Sequence, residues 1–273
     1  MLFRWLRYVP PLPVPMRVPR IGWWLARNDA CGLAMISDSY ETRERRFVES
    51  LLRPGMTVLD IGAHHGLYTL LASRTVGMRG RVLAFEPSPR ERNSLLTHLR
   101  LNRCRNVDVE GVALGSKSGR GELFIVQGRE TGCNCLRPPN VPEPTIKVSI
   151  PIDTLDSCLQ RRGIDHADFM KIDVEGAELE VLRGATGLLK GRLRPIILAE
   201  VQDLRTAAWG YPAKEIVDFL RQYDYRWFHL EKTGLRPMRE YCGRFNENLV
   251  AIPTERQADV HFQNKIVSST PRC

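Results

Sequence analysis

The chain has 273 residues, 43% of them hydrophobic and 26% charged, with a formal net charge of +9. This is an ordinary composition for a soluble globular protein and suits one large domain with additions. No apolar stretch is long enough to cross a bilayer. No basic run marks a nucleic-acid face, so the positive surplus reads as a solvated Arg-rich surface.

Residues 1–40 read as an N-terminal arm or cap. The start, Met1-Leu-Phe-Arg-Trp-Leu-Arg-Tyr-Val-Pro, is basic and aromatic but lacks the apolar core of a signal peptide. Five prolines in residues 1–20 predict an extended arm. Phe3, Trp5 and the pair Trp23-Trp24 are expected to cover the main domain, a peripheral membrane contact being the alternative. Seven cysteines (31, 104, 133, 135, 158, 242 and 273) leave one over in any full disulfide set, and Cys133-Asn-Cys135 is too closely spaced for a zinc knuckle. Reduced thiols and a cytoplasmic location are therefore expected.

Apolar residues at helical spacing over 41–52, stopped by Arg-Pro-Gly, predict a helix. Strand-like runs follow at 57–61, 81–86, 107–113, 168–174, 195–201, 225–230 and 247–252. Helical patterns at 66–73, 90–101, 175–189 and 213–223 separate most of them, as in a doubly wound sheet. The stretch 114–155 breaks this rhythm. Its β-like runs at 121–126 and 145–150 flank a loop rich in Gly, Pro, Asn and Cys, predicting an inserted hairpin that could wall a substrate pocket. Residues 41–253 thus form the domain, and 254–273 a C-terminal tail.

The first strand ends at Asp60-Ile-Gly62-Ala63-His64-His65-Gly66, and the second at Phe85-Glu86-Pro87. A glycine turn opening a helix, followed by a carboxylate one strand later, is how an α/β sheet grips an adenosine cofactor, the acid taking the ribose diol. The close Gly-x-Gly pair that admits a pyrophosphate is missing, and an acid precedes the first glycine. This turns the reading from NAD toward S-adenosylmethionine, whose amino-acid end carries an ammonium group.

With these motifs the chain resembles the S-adenosylmethionine-dependent methyltransferases of the FkbM group, from about Glu41 to Pro253. The blocks that carry the resemblance are Pro54–Ala63, Phe85-Glu86-Pro87, Val112–Gly115, Thr154-Leu155-Asp156, Asp168–Glu178 and Val181–Ala185. The group's pattern usually has Asn where this chain has His64. The resemblance implies a class I methyltransferase, Rossmann-like sheet of seven strands whose last runs antiparallel, here with the β-rich insertion. It also implies O-methylation of a hydroxyl on a sugar, glycolipid or secondary metabolite. Carried over, Asp60, Gly62, Ala63, His64 and Gly66 line the methionine end, Glu86 binds ribose and Ala113 lies near adenine.

Transfer to an alcohol needs an in-line approach and a base for the hydroxyl proton. Asp173 and Glu200, at neighbouring strand tips, are the expected catalytic pair, with Glu175 the rival and Lys171 a charge partner. His64 and His65 read as binding or packing residues. A divalent ion on Asp173, Glu200 and a third oxygen is an alternative that no spacing demands, so no metal is expected. Helix 41–52, the 114–155 insertion and the segment 203–212 are expected to ring the acceptor side, where Trp209 and Tyr211 could stack on a sugar face and Arg205 would suit a phosphate or carboxylate. A nicotinamide oxidoreductase, a nucleic-acid methyltransferase and a non-catalytic cofactor-binding protein are the competing readings. The second lacks both an Asn-Pro-Pro-aromatic segment and a Pro-Cys nucleophile.

Overall fold

The computed structural model describes residues 13–37, 39–232, 234–238 and 243–258. Phe3 and Trp5 of the arm, Cys242, Cys273 and the tail from 259 lie outside the described residues. The described chain opens with an antiparallel hairpin, β1 (Val14–Val18) and β2 (Gly22–Ala26), then helices α1 (Ala30–Ile36) and α2 (Thr42–Leu51). The stretch after residue 13, expected to be merely extended, is thus one strand of a ribbon. Its prolines fit because a two-stranded ribbon leaves each strand an edge that needs no donor. Trp24 is buried, whereas Trp23 is 50% exposed.

The wound core begins with β3 (Thr57–Ile61), α3 (Leu67–Val76), β4 (Arg81–Phe85), α4 (Pro89–Leu101) and β5 (Val107–Glu110). The run predicted over 107–113 breaks at Gly111-Val112, and its end becomes β6 (Ala113–Leu114). With β7 (Gly119–Val126) and β8 (Thr145–Asp153), β6 builds a separate sheet of order β6-β8-β7. The insertion's hairpin is therefore present, joined by the tail of a core strand.

The core resumes with α5 (Leu155–Arg161), β9 (Phe169–Ile172), α6 (Glu178–Arg183), α7 (Thr186–Lys190), β10 (Ile196–Gln202), α8 (Asp203–Thr206), α9 (Lys214–Arg221), β11 (Tyr225–Glu231), β12 (Gly234–Pro237) and β13 (Asn246–Pro253). The single helix predicted over 175–189 is two. They part at Gly184, where a Cβ would come within 2.1 Å of the Gly115 carbonyl oxygen. The Asp156 carboxylate then accepts the Gly187 and Leu188 amides at 2.6 and 3.0 Å, capping α7.

The main sheet has the order β12-β11-β13-β10-β9-β3-β4-β5. β13, the last strand, runs antiparallel to both β10 and β11, while β3, β4, β5, β9 and β10 are mutually parallel. This is the expected seven-strand arrangement with β12 added as an edge hairpin. The strands are apolar on both faces because helices cover both. Leu59, Ile61, Leu83, Phe85, Met170, Ile172, Ile197 and Ala199 pack into one layer, and Val58, Val82, Ala84, Phe169, Ile196 and Leu198 into the other. That alternation is the period-2 geometry of a strand. It sends Asp60, Lys171 and Glu200 to the second layer, the side on which the hairpin, α1 and α2 also pack. No helix among the described residues is long and apolar enough to cross a membrane.

Candidate active site

The carboxyl ends of β3, β4 and β9 meet at the turn 62–66. Gly62 has φ +81°, and a Cβ there would come within 1.8 Å of the Asp173 carbonyl oxygen, so only glycine lets the turn pass so close to β9. The Gly62 and Ala63 amides both donate to the Phe85 carbonyl, at 3.1 and 3.0 Å. His64 follows with φ 49°, a left-handed conformation rare for a side-chain-bearing residue. Its amide donates to Glu86 Oε2 at 2.7 Å, and the Ser88 amide to Glu86 Oε1 at 2.8 Å. Each oxygen keeps a lone pair for a further donor. Burial lifts the Glu86 carboxyl to about 8 against the pull of those amides.

Two cavities open on this turn. The first, about 600 Å³, has an apolar slot formed by Ile61, Phe85, Val112, Ala113, Leu114, Leu123 and Leu136, with Glu86 at one side and Asp173 and Glu175 at the other. The second, about 620 Å³, is more polar and is walled by Trp24, Cys31, Tyr40, Glu41, Ala63, His65, Tyr68, Lys171 and Glu200. They share Gly62, His64, Gly132, Asp173 and Glu175. The 127–144 loop contributes Thr131, Gly132, Asn134 and Cys135, with Thr131 Oγ1 3.1 Å from His64 Nε2.

Of the residues expected at the site, Gly62, His64, Glu86 and Ala113 line the first cavity, whereas Ala63 lines the second. Asp60 and Gly66 line neither. Asp60 is buried beneath the turn, accepting the Thr69 hydroxyl at 2.5 Å, and Gly66 begins α3 at φ +91°. Asp173 and Glu200 come together in the second cavity. Asp173 accepts Lys171 Nζ at 2.8 Å, and Glu175 pairs with Arg205 at 2.8 Å. Arg205 therefore already has a carboxylate partner. Tyr211 donates to the Gly176 carbonyl, and Trp209 sits under Arg137 in a separate groove, 4.8 Å from centroid to guanidinium.

Burial opposes the charge on Lys171, but Asp173, Glu41 and Asp60 outweigh it and hold the ammonium above its ordinary range. Burial, then the Asp173 charge, raises Glu175 to about 8, and burial takes Glu178 to about 7. Glu178 is structural: its Oε1 accepts the Val174 and Gly176 amides at 3.0 and 3.2 Å, folding the turn that aims Asp173 and Glu175. Glu200 is pushed well above its ordinary value by burial and then by the Asp173, Glu175 and Glu178 charges. One oxygen each of Asp173, Glu175 and Glu200 lie within 4.8 Å of one another, spacing that could hold a cation, but Lys171 and Arg205 already supply countercharge. His64 and His65 stack at 3.8 Å, and burial lowers both, His64 to about 4, so the rings are neutral near pH 7.

Trp24, Cys31, Tyr40, Glu41 and Tyr68 were not among the expected site residues. Tyr68 carried the nearest signal, lying in the first turn of the helix that the glycine motif opens. Glu41 opens the 41–52 helix expected on the acceptor side, but as an acid at a helix start it reads as a dipole partner, with no individual role. Trp24 is held by the hairpin's docking. His98 Nδ1–H donates to the His65 carbonyl at 2.7 Å, its Nε2 accepts the Leu25 amide at 3.0 Å, and its ring stacks on Trp24 at 4.1 Å. Those partners assign its neutral tautomer.

The first cavity combines an acid with lone pairs for further donors, an apolar lining, and carboxylates that can meet cationic groups. The model of the methyltransferase FkbM domain matches residues 60–227. The AMB antimetabolite synthetase AmbE of Pseudomonas aeruginosa is 30% identical over 211 residues, 64% of this chain. This chain spans only 10% of that relative's length. The 31-O-demethyl-FK506 methyltransferase FkbM of Streptomyces tacrolimicus is 28% identical over 64% of this chain and 74% of its own. A solved methyltransferase FkbM from Methylobacillus flagellatus aligns over 81% of this chain and 54% of its own, at 17% identity and a TM-score of 0.47.

Proposed function

Because the chain belongs to the methyltransferase FkbM family, we propose that it moves the methyl group of S-adenosylmethionine to a hydroxyl oxygen of a small acceptor, on a sugar, glycolipid or secondary metabolite. The observation that carries this reading is the wall shared by the two cavities, Gly62, His64, Gly132, Asp173 and Glu175. A cofactor in one cavity and an acceptor in the other would face each other there, the arrangement a displacement needs. When bound, the cofactor supplies an electrophilic methyl group on a sulfonium.

In this reading Glu86 takes the ribose hydroxyls, and the slot from Ile61 to Leu136 takes adenine. Asp173, oriented by Lys171, stands at the junction, and Glu200 faces the acceptor. The 127–144 loop helps keep water out, its Thr131 tied to His64. Transfer to oxygen is also supported by the Streptomyces relative, whose name describes an O-demethylated substrate.

The test is calorimetry with S-adenosylhomocysteine, followed by transfer of labelled methyl from S-adenosylmethionine to a panel of sugars, glycolipids and polyketide alcohols. Binding plus label on oxygen is expected. Tight NAD(H) binding with no response to S-adenosylhomocysteine would overturn the proposal.

A further inference from the structure

The acceptor chamber holds a carboxylate that the sequence does not advertise. Glu41 has φ 44° and ψ 45°, a left-handed conformation that is strained for a residue with a full side chain. It stands at the N-cap of α2, yet its side chain makes no capping bond. The side chain turns instead into the chamber, where Glu41 Oε2 accepts the Tyr68 phenol at 2.5 Å. Lys171 sits over the Tyr68 ring at 4.8 Å.

The other acids facing the chamber are engaged differently. Asp173 is bound by Lys171 and Glu175 by Arg205, each at 2.8 Å. Glu200 is driven toward its protonated form by burial and then by the like charges of Asp173, Glu175 and Glu178. The charged and titratable groups around Glu41 are Glu44 on its own helix, Tyr40 and Cys31 before it, Tyr68 on α3, and Lys171 and Asp173 from β9. Burial raises the Glu41 carboxyl, and Lys171 is the strongest charge pulling it back. Glu41 also lies outside the 60–227 segment that matches the family model, whereas every residue lining the first cavity lies inside it.

Resting on the methyl-transfer reading, we propose that Glu41 is the general base that takes the acceptor hydroxyl's proton, with Tyr68 as the positioning residue that aims it. The acceptor O–H bond breaks and its proton passes to a Glu41 carboxylate oxygen. The freed oxygen pair forms the C–O bond to the methyl carbon, and the C–S bonding pair returns to sulfur as the neutral thioether. Tyr68 keeps its proton throughout.

The experiment uses the full chain, S-adenosylmethionine and molar glycerol as a surrogate alcohol, with the glycerol methyl ether measured by mass spectrometry. Glu41→Gln should lower its formation roughly 100-fold or more, while S-adenosylhomocysteine affinity stays within about threefold by calorimetry, a margin below 1 kcal/mol. Glu41→Asp should keep part of the rate. Tyr68→Phe removes a donor that favours the ionised carboxylate, so the pH–rate inflection should move upward. An independent readout is the carboxyl-carbon NMR signal lost in Glu41→Gln, which should be that of an ionised group in the cofactor-free protein at pH 7.

Near-full ether formation by Glu41→Gln, or a protonated Glu41 at pH 7, would overturn the assignment. No ether from wild-type enzyme that binds cofactor would count instead against transfer to hydroxyls.

Discussion

The His64 amide donates to the Glu86 carboxylate at 2.7 Å, tying the glycine turn after β3 to the acid that ends β4. The shape of the turn and the Glu86 carboxylate are therefore one unit. Burial holds that acid at about 8, so much of it is protonated at neutral pH before ligand arrives.

Ribose hydroxyls donating to Glu86 would favour its ionised form, lowering its pKa on binding. S-adenosylhomocysteine affinity is expected to rise with pH up to about 8 and then level off. Calorimetry at pH 7 in buffers of different ionisation enthalpy should detect released protons. Glu86→Gln should weaken binding about 10- to 100-fold and abolish that release.

Gly62→Ala is expected to cost about 2–4 kcal/mol. Its Cβ must move the Asp173 carbonyl from a 1.8 Å contact and also adopt φ +81°. Urea denaturation measures the loss, which Gly77→Ala should not match in full, since a Cβ at Gly77 meets nothing within 4 Å although its φ of +65° is strained as well.

The buried histidines should contribute a loss of stability from about pH 6.5 downward, opposed by the raised carboxyls of Glu86, Glu175 and Glu178, which contribute a gain as they take up protons in the fold. His64, His65 and His98 are all lowered by burial, so the unfolded chain binds protons first. Their contribution is intact above the unfolded pKa and is lost as pH falls toward the folded values. For His64, lowered to about 4, the loss is about 3 kcal/mol. His98→Phe should remove part of this slope in a pH series of denaturation midpoints, while leaving the Leu25 amide and His65 carbonyl unpaired.

Lys171→Met strands Asp60, Asp173 and Glu41 without their common cation. A destabilisation of about 3–5 kcal/mol is expected, larger at pH 8 than at pH 5, because protonating the carboxylates relieves the repulsion. Equal losses at the two pH values would contradict this.

Exhaustive chelation should leave methyl transfer unchanged, because Lys171 and Arg205 already neutralise Asp173 and Glu175. Loss of turnover with EDTA and its recovery with Mg2+ would instead assign a cation to the Asp173–Glu175–Glu200 cluster.

The turn after β3 and its link to Glu86 were legible because their signals are local. Gly62 announces a turn no other residue allows, and Glu86 follows one strand later in a run whose burial period is plain. Of the second cavity, Asp173 and Glu200 were legible at their strand tips, but its pairings were not, because the contacts are distant: Tyr68 meets Glu41 across 27 positions, and Leu25 meets His98 across 73. Nothing near Trp24 or Glu41 states what they will touch. Gly111 and Gly184 misled in a related way. Each lies inside a continuous apolar pattern, yet the chain changes sheets after Gly111 and parts two helices at Gly184, where the Gly115 carbonyl leaves no room for a side chain.

The stacking of Trp24 on His98 has a temporal consequence. The hairpin is synthesised before its docking surface, which includes the His65 carbonyl and the His98 ring. Until α4 is made, β1 and β2 have little to pack on, and an isolated ribbon of two strands is marginal in water. The hairpin is therefore the last of these elements to settle, and the second cavity, which Trp24 helps wall, matures after the first. Pulse-labelled hydrogen exchange during refolding should find the amides of residues 22–26 protected later than those of 57–61.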